Sequence, residues 1–182
     1  GPVVTVKNAV DFQMMEMVYV GHKRLIGEVI NISSEVTTIQ VYEVTTGLKP
    51  GEPVQGTGGP LCATLGPGIL SNIFDGIERP LGEIAKQSGP FIPEGADIPS
   101  LDTEKKWPVQ IRVKAGDMLA PGDVYAVTQE TAIIENRAMC PPDLSGEVVS
   151  VRPDGDYRVF DTLITVRDQK GRTHDLALAQ KW

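Results

Sequence analysis

Apolar residues fall in short runs broken by polar or glycine-containing turns, and the pattern changes character twice along the chain. Residues 3–6, 17–20, 25–32 and 37–43 are rich in Val, Ile and Thr, the composition of strands that sit half-buried on a pleated surface. In Val36-Thr37-Thr38-Ile39-Gln40-Val41-Tyr42 the alternation is good without being perfect, as expected of a strand with one wet face. Gly21-His22-Lys23-Arg24 reads as a hairpin connection. Together these runs predict a small N-terminal antiparallel β-barrel.

Between Gly47 and Gly68 the pattern breaks into Gly-Leu-Lys-Pro-Gly-Glu-Pro and Gly-Thr-Gly-Gly-Pro, where Pro removes ladder donors and Gly permits positive φ, so turns and loops are expected. Ile69, Leu70, Ile73, Phe74 and Ile77 then recur at helical spacing, which predicts a short amphipathic helix with its stripe packed in the core. Pro80 suits the first turn of a second helix over residues 81–87, ended near Gly89. Residues 89–107, interrupted by Pro90, Pro93 and Pro99, read as a linker.

From Val109 onward β-type runs return at close spacing, at residues 111–113, 124–127, 133–134, 147–151, 157–159, 163–166 and 176–178. Val113-Lys114-Ala115-Gly116-Asp117 is echoed by Val151-Arg152-Pro153-Asp154-Gly155-Asp156, each placing a Gly-Asp turn after a β-branched strand. Two such interlocking halves resemble biotinyl and lipoyl carrier domains, which are barrel-sandwich hybrids. The expected fold is therefore mainly β: a barrel over residues 1–66, a helical segment and linker over 67–108, and a second all-β module over 109–182.

Composition narrows the function. The 182 residues carry 19 glycines, 14 prolines and few aromatics, which suits short strands rather than helical bundles. A net charge of −7 argues against nucleic acid, whose affinity rests on Lys and Arg displacing counterions, and an oligonucleotide-binding barrel is disfavoured on the same ground. Cys62 and Cys140 have no C-x-x-C spacing, and His22 and His174 lie far from both, so no metal site is assigned. No run approaches the roughly 18 apolar residues of a spanning helix, and the start lacks a basic-then-apolar leader, so the expectation is a cytoplasmic chain with no direct membrane insertion.

Candidate chemistry is correspondingly sparse. A carrier domain needs a lysine at a hairpin tip. The equivalent hairpin, residues 128–139, offers Arg137 but no lysine, and none occurs between Lys114 and Lys170. No G-x-S-x-G elbow is present. Glu130, Glu135 and Asp161 read as a solvated acidic face, and no catalytic or cofactor-binding residue is assigned. Gly56-Thr57-Gly58-Gly59 reads as a tight turn rather than a phosphate loop, because no Lys-Ser/Thr and helix start follow it.

The run GEVINISSEVTTIQVYEVTTGLKPGEPVQGTGGPLCATLGPGILSNIFDGIERPL, with VKAGDMLAPGDVYAV and MCPPDLSGEVVSVRPDGDY later, resembles the catalytic A subunit of V/A-type rotary ATPases segment by segment. The resemblance implies a crown-forming barrel followed by the bulge insertion that sets the catalytic polypeptide apart from its non-catalytic neighbours. The parent it implies hydrolyses or synthesises ATP, couples this to proton or sodium transport, binds ATP, ADP and Mg²⁺ elsewhere, and sits peripherally on the membrane complex. It implies B subunits and peripheral-stalk subunits as partners, with Glu130, Glu135 and Arg137 at a mixed-charge hairpin tip as stalk-contact candidates. Gly1-Pro2-Val3-Val4 matches the family's early strand, and Gly1 in place of Met reads as a trimmed start. The chain stops where family members run on into a nucleotide-binding domain, and no G-x-x-x-x-G-K-[ST] occurs in it, so this stretch is expected to be inactive alone. The alternative is a free-standing barrel and carrier-like module serving as an adaptor.

Overall fold

The computed structural model describes residues 2–7, 12–95 and 98–182. The chain forms two compact units, Gly1–Cys62 with Glu83–Asp97, and Ala63–Gly82 with Ile98–Trp182.

Unit 1 is an antiparallel sheet of β1 (Val3–Lys7), β2 (Glu16–Val20), β3 (Leu25–Ile32), β4 (Val36–Val41) and β5 (Val54–Pro60), in the order β1-β4-β3-β2-β5. The period-two pattern turns Val18, Val20, Leu25, Val29, Ile39 and Val41 to one side, where they form the core. Each such side chain contributes about 1.5–3 kcal/mol on leaving water. The expected β-structure is present, but among the described residues it closes no ring: β1 and β5 are the two edges of the sheet.

One segment overturns its expectation. Residues 54–60, expected as turns, form β5, paired to β2 through a bulge that shifts the register between Glu16 and Val18. An edge strand tolerates Pro60 because one side of its ladder is empty. The glycines admit the buried Glu16 carboxylate, which accepts N–H bonds from Gln13 at 2.7 Å and Gly58 at 2.8 Å. A Cβ on Gly56 would lie 2.3 Å from Glu16 Oε1 and 3.1 Å from the Phe12 ring. The helix α1, Leu81–Ser88, forms as expected; Gly89 at φ 72° stops it.

Unit 2 is a sandwich of two four-stranded antiparallel sheets, with a short additional strand pair and a turn segment. Its strands are β6 (Thr64–Leu65), β7 (Lys106–Ile111), β8 (Met118–Leu119), β9 (Val124–Gln129), β10 (Glu135–Met139), β11 (Gly146–Val151), β12 (Gly155–Arg158), β13 (Ile164–Asp168), β14 (Thr173–Leu176) and β15 (Gln180–Lys181). One sheet runs β10-β9-β7-β12, the other β14-β13-β11-β8, and β15 pairs with β6. Tyr125, Val148, Leu163, Ile164 and Val166 fill the space between. The Tyr125 hydroxyl is tied on both sides: it donates to the Ala177 carbonyl and accepts from Gln180 Nε2 at 2.8 Å, while the same amide also donates to the Met139 carbonyl at 2.6 Å. Burial pushes the Tyr125 pKa far up, so the hydroxyl stays a donor at all working pH.

Four further expectations are corrected in unit 2. The helix expected over residues 69–77 shrinks to one 3₁₀ turn, Ile69–Ser71, after which Asn72 is extended. The chain then doubles back, with the Leu81 N–H donating to the Ile73 carbonyl and a Phe74–Pro80 bridge. Pairing with the chain's own return outweighs a helical tendency diluted by Gly76. As a result the stripe is not all core: Ile69 packs inward, but Leu70 is 57% and Ile73 74% exposed. The expected linker over 89–107 ends early, because β7 begins at Lys106 and buries Trp107. Residues 133–134 are not a strand but the turn before β10. Gly155, expected in a turn, opens β12; the recurring turns are instead Lys114–Asp117 and Ala120–Asp123, each closed by an Asp side chain accepting the first residue's N–H, at 2.9 and 2.8 Å.

Two outcomes follow for urea unfolding. Tyr125→Phe leaves the Ala177 carbonyl and the Gln180 amide without their partner and lowers stability by about 1–2 kcal/mol. Gly56→Ala drives a methyl into Glu16 and costs about 1–3 kcal/mol, seen as an earlier midpoint with an unchanged slope.

Candidate functional site

The β9–β10 hairpin carries Glu130, Glu135 and Arg137, the charged residues singled out in the sequence. Four consecutive residues of β9, Tyr125 to Thr128, are buried, so the strand is fixed in the sandwich. Its pairing with β10 runs Gln129–Glu135, Thr128–Asn136 and Arg137–Val127, with a bulge at Ala138 and Met139. Thr128 is anchored further by its hydroxyl, which donates to the Pro108 carbonyl of β7 at 2.7 Å.

The turn itself is closed by short-range bonds. The N–H groups of Glu130 and Thr131 donate to the Ile134 carbonyl at 2.9 and 3.2 Å, the Thr131 hydroxyl accepts from the Ile134 N–H at 3.1 Å, and Gln129 Nε2 donates to the Thr131 carbonyl at 2.7 Å. This frame holds Ile133 almost wholly in water, 91% exposed, beside Ile134 at 40%. Held by these bonds, the side chain would need little further ordering to be buried on another surface.

The three charged residues expected at this tip play different parts. Glu130 is engaged within its own unit: Oε1 accepts from the N–H groups of Gly68 at 2.7 Å and Leu70 at 3.2 Å, and Oε2 from Asn136 Nδ2 at 3.3 Å. The start of the 3₁₀ turn has no side-chain cap of its own, and Gly68 holds φ 104°, a conformation suited to glycine. A carboxylate 62 residues away in sequence supplies the missing acceptor. Glu135 and Arg137 pair with each other at 3.1 Å, at 37% and 65% side-chain exposure, where an ion pair contributes about 0–1 kcal/mol. Asp161, expected on a solvated face, accepts the Arg158 N–H at 2.8 Å and closes a turn. The apolar tip escaped the sequence reading because Ile133 and Ile134 looked like strand; four short-range turn bonds, not periodicity, set them outward.

Among the described residues no group of three or more His, Cys, Asp and Glu side chains could hold a metal ion. His174 contacts Asp168 at 3.0 Å within the β13–β14 hairpin, and that carboxylate, which also accepts Arg172 Nε at 2.9 Å, is held far below its ordinary pKa, chiefly by the His174 contact. Cys140 is buried, which pushes its thiol pKa up and keeps it protonated. In the Gly56–Gly59 stretch the Gly58 N–H is already taken by Glu16, so these amides form no open anion cradle. No helix among the described residues is long and apolar enough to cross a membrane.

Two family models match the chain in order: the beta-barrel domain of the ATP synthase alpha/beta family over residues 1–58, and the ATP synthase alpha/beta subunit barrel-sandwich domain over residues 98–182. Over its whole length the chain is 52% identical to the V-type ATP synthase alpha chain of Halothermothrix orenii. It is 50% identical to V-type ATP synthase alpha chain 2 of Clostridium tetani and 46% identical to the V-type ATP synthase alpha chain of Thermoanaerobacter pseudethanolicus. In each case all of this chain is covered, and it spans 31% of the relative's length.

Glu130→Ala removes the cap and the Asn136 contact. The expected result is a loss of about 1–2 kcal/mol, with faster amide exchange at Gly68 and Leu70. Glu135→Ala and Arg137→Ala should each stay within about 0.5 kcal/mol of the parent.

Proposed function

We infer the function from one premise: the chain belongs to the ATP synthase alpha/beta family and corresponds to the N-terminal region of the V/A-type catalytic polypeptide. The parent polypeptide turns over ATP and couples that turnover to proton or sodium transport as a peripheral part of a membrane complex. ATP, ADP and Mg²⁺ bind outside the stretch described, which carries no phosphate-loop motif. This region is scaffold: unit 1 packs beside neighbouring B subunits, and unit 2 offers a contact to the peripheral stalk.

The observation that carries this reading is the likeness along all 182 residues, with both domain models in sequence order. It also leaves the free-standing adaptor without support, since the relatives are about three times as long. The geometry of unit 2 supports a contact role: a rigid sandwich, a hydrogen-bonded hairpin, and an apolar tip rimmed by Glu135 and Arg137. Within that contact Ile133 supplies the buried anchor and the rim charges supply orientation. Glu130 acts indirectly, by holding the hairpin against residues 68–70.

The test is capture of purified stalk subunits by the full-length catalytic polypeptide. Ile133→Glu should weaken capture about tenfold or more, as expected of a desolvated anchor. The paired reversal Glu135→Lys with Arg137→Glu should alter mainly the salt dependence of association. Unchanged capture by Ile133→Glu would remove the hairpin tip from the interface and leave the family assignment standing.

A further inference from the structure

Glu130 stands where two local structures meet. Its N–H donates to the Ile134 carbonyl at 2.9 Å and helps to close the hairpin tip, while its carboxylate reaches the N–H groups of Gly68 at 2.7 Å and Leu70 at 3.2 Å. Asn136 Nδ2 donates to the second carboxylate oxygen at 3.3 Å and steadies it from β10. One residue therefore takes part in ordering both the tip that presents Ile133 and the turn at residues 69–71.

The two structures differ in how well they hold themselves. The tip has further bonds of its own, from the Thr131 N–H to the Ile134 carbonyl at 3.2 Å and from the Ile134 N–H to the Thr131 hydroxyl at 3.1 Å. The 3₁₀ turn, Ile69–Ser71, is flanked by backbone bonds from Ile69 to the Gly66 carbonyl and from Asn72 to the Ile69 carbonyl, both stretched to 3.4 Å. N–H bonds of ordinary strength lie at about 2.7–3.2 Å, so the bond from Gly68 to Glu130 is stronger than either. A single 3₁₀ turn has little stability of its own, and this one takes much of its order from the hairpin. Its position in the chain gives that dependence a consequence. Residues 63–82 are the part of unit 2 whose two ends run directly, in sequence, into stretches of unit 1.

We propose that Glu130 couples the hairpin tip to residues 68–71. A partner held at Ile133 then stiffens the segment that runs between two stretches of unit 1, and loosening that segment weakens the partner's hold. The element with two arrangements is the 69–71 turn, capped by Glu130 or released from it. Burial of Ile133 fixes the tip, the fixed tip orders the Glu130 backbone, and the ordered backbone keeps the carboxylate on Gly68 and Leu70. Linkage requires the coupling to run in both directions with the same factor. Glu130 is a positioning residue in this scheme, acting on the partner through the tip. The proposal rests on the reading of the tip as a stalk contact and goes beyond it by giving that contact a response elsewhere in the chain.

Amide exchange at Gly68 and Leu70 in the full-length catalytic polypeptide, joined to the capture assay, tests it. Thr131→Ala removes the hydroxyl that accepts the Ile134 N–H and loosens the tip. Exchange at the two amides should then rise about fivefold in the parent background, but less than about twofold when Glu130→Ala is already present. Saturating stalk subunits should slow the same amides about fivefold or more, and Glu130→Ala should abolish that slowing while weakening capture about fivefold. Glu130→Gln, which keeps a carbonyl acceptor for Gly68 and Leu70, should restore most of both. Thr131→Ala acting equally with and without Glu130 would overturn the proposal, as would stalk protection that persists in Glu130→Ala. Capture unchanged by Ile133→Glu would instead sink the contact reading and the partner's part in the coupling, whereas the Thr131 and Glu130 cycle uses no partner and judges the link between tip and turn by itself.

Discussion

Main-chain N–H groups left over by turns need acceptors, and in this protein carboxylates supply them. Strands this short leave many residues outside any ladder, and an unpartnered N–H away from water costs about 1–3 kcal/mol. Glu16, Glu52, Glu78, Glu130, Asp75, Asp102, Asp117, Asp123, Asp161 and Asp168 all accept backbone N–H bonds. The acidic balance of the chain is thus partly structural: many of its carboxylates hold backbone N–H groups while still facing water.

That constraint also shapes the surfaces. Where a carboxylate fixes a turn, the side chains riding on it have their positions fixed too. Glu130 ties the hairpin to the 3₁₀ turn, and the hairpin in turn fixes Ile133; Glu78 and Asp75 latch residues 73–81, and the latch fixes Ile73. Two of the exposed apolar stretches of unit 2 stand on such frames. Side chains ordered in advance in this way lose little entropy if they are buried against another surface.

Much of the fold was legible in residue order. The β-rich runs at residues 17–20 and 37–43 placed β2 and β4, since a strand's side-chain period is local, and the fold buries Val18, Val20, Ile39 and Val41 along them. Pro80 and Gly89 bracketed α1 for equally local reasons. The candidate site was legible only in outline. Glu135 and Arg137 do lie on an exposed strand, but Glu130 turned out to be a cap whose partners lie far away in sequence, and no pattern within a few residues of it names Gly68.

The sequence by itself determined the β class, the family resemblance and the lack of a phosphate loop, because strand periodicity and motif spacing are properties of neighbouring residues. Only the tertiary structure decided that residues 54–60 pair as an edge strand, that the apolar run at 69–77 turns back on itself, and that Ile133 points into water. The first rests on a distant group, Glu16 taking the Gly58 N–H, and the other two on turn bonds that form only once the chain has folded back on itself.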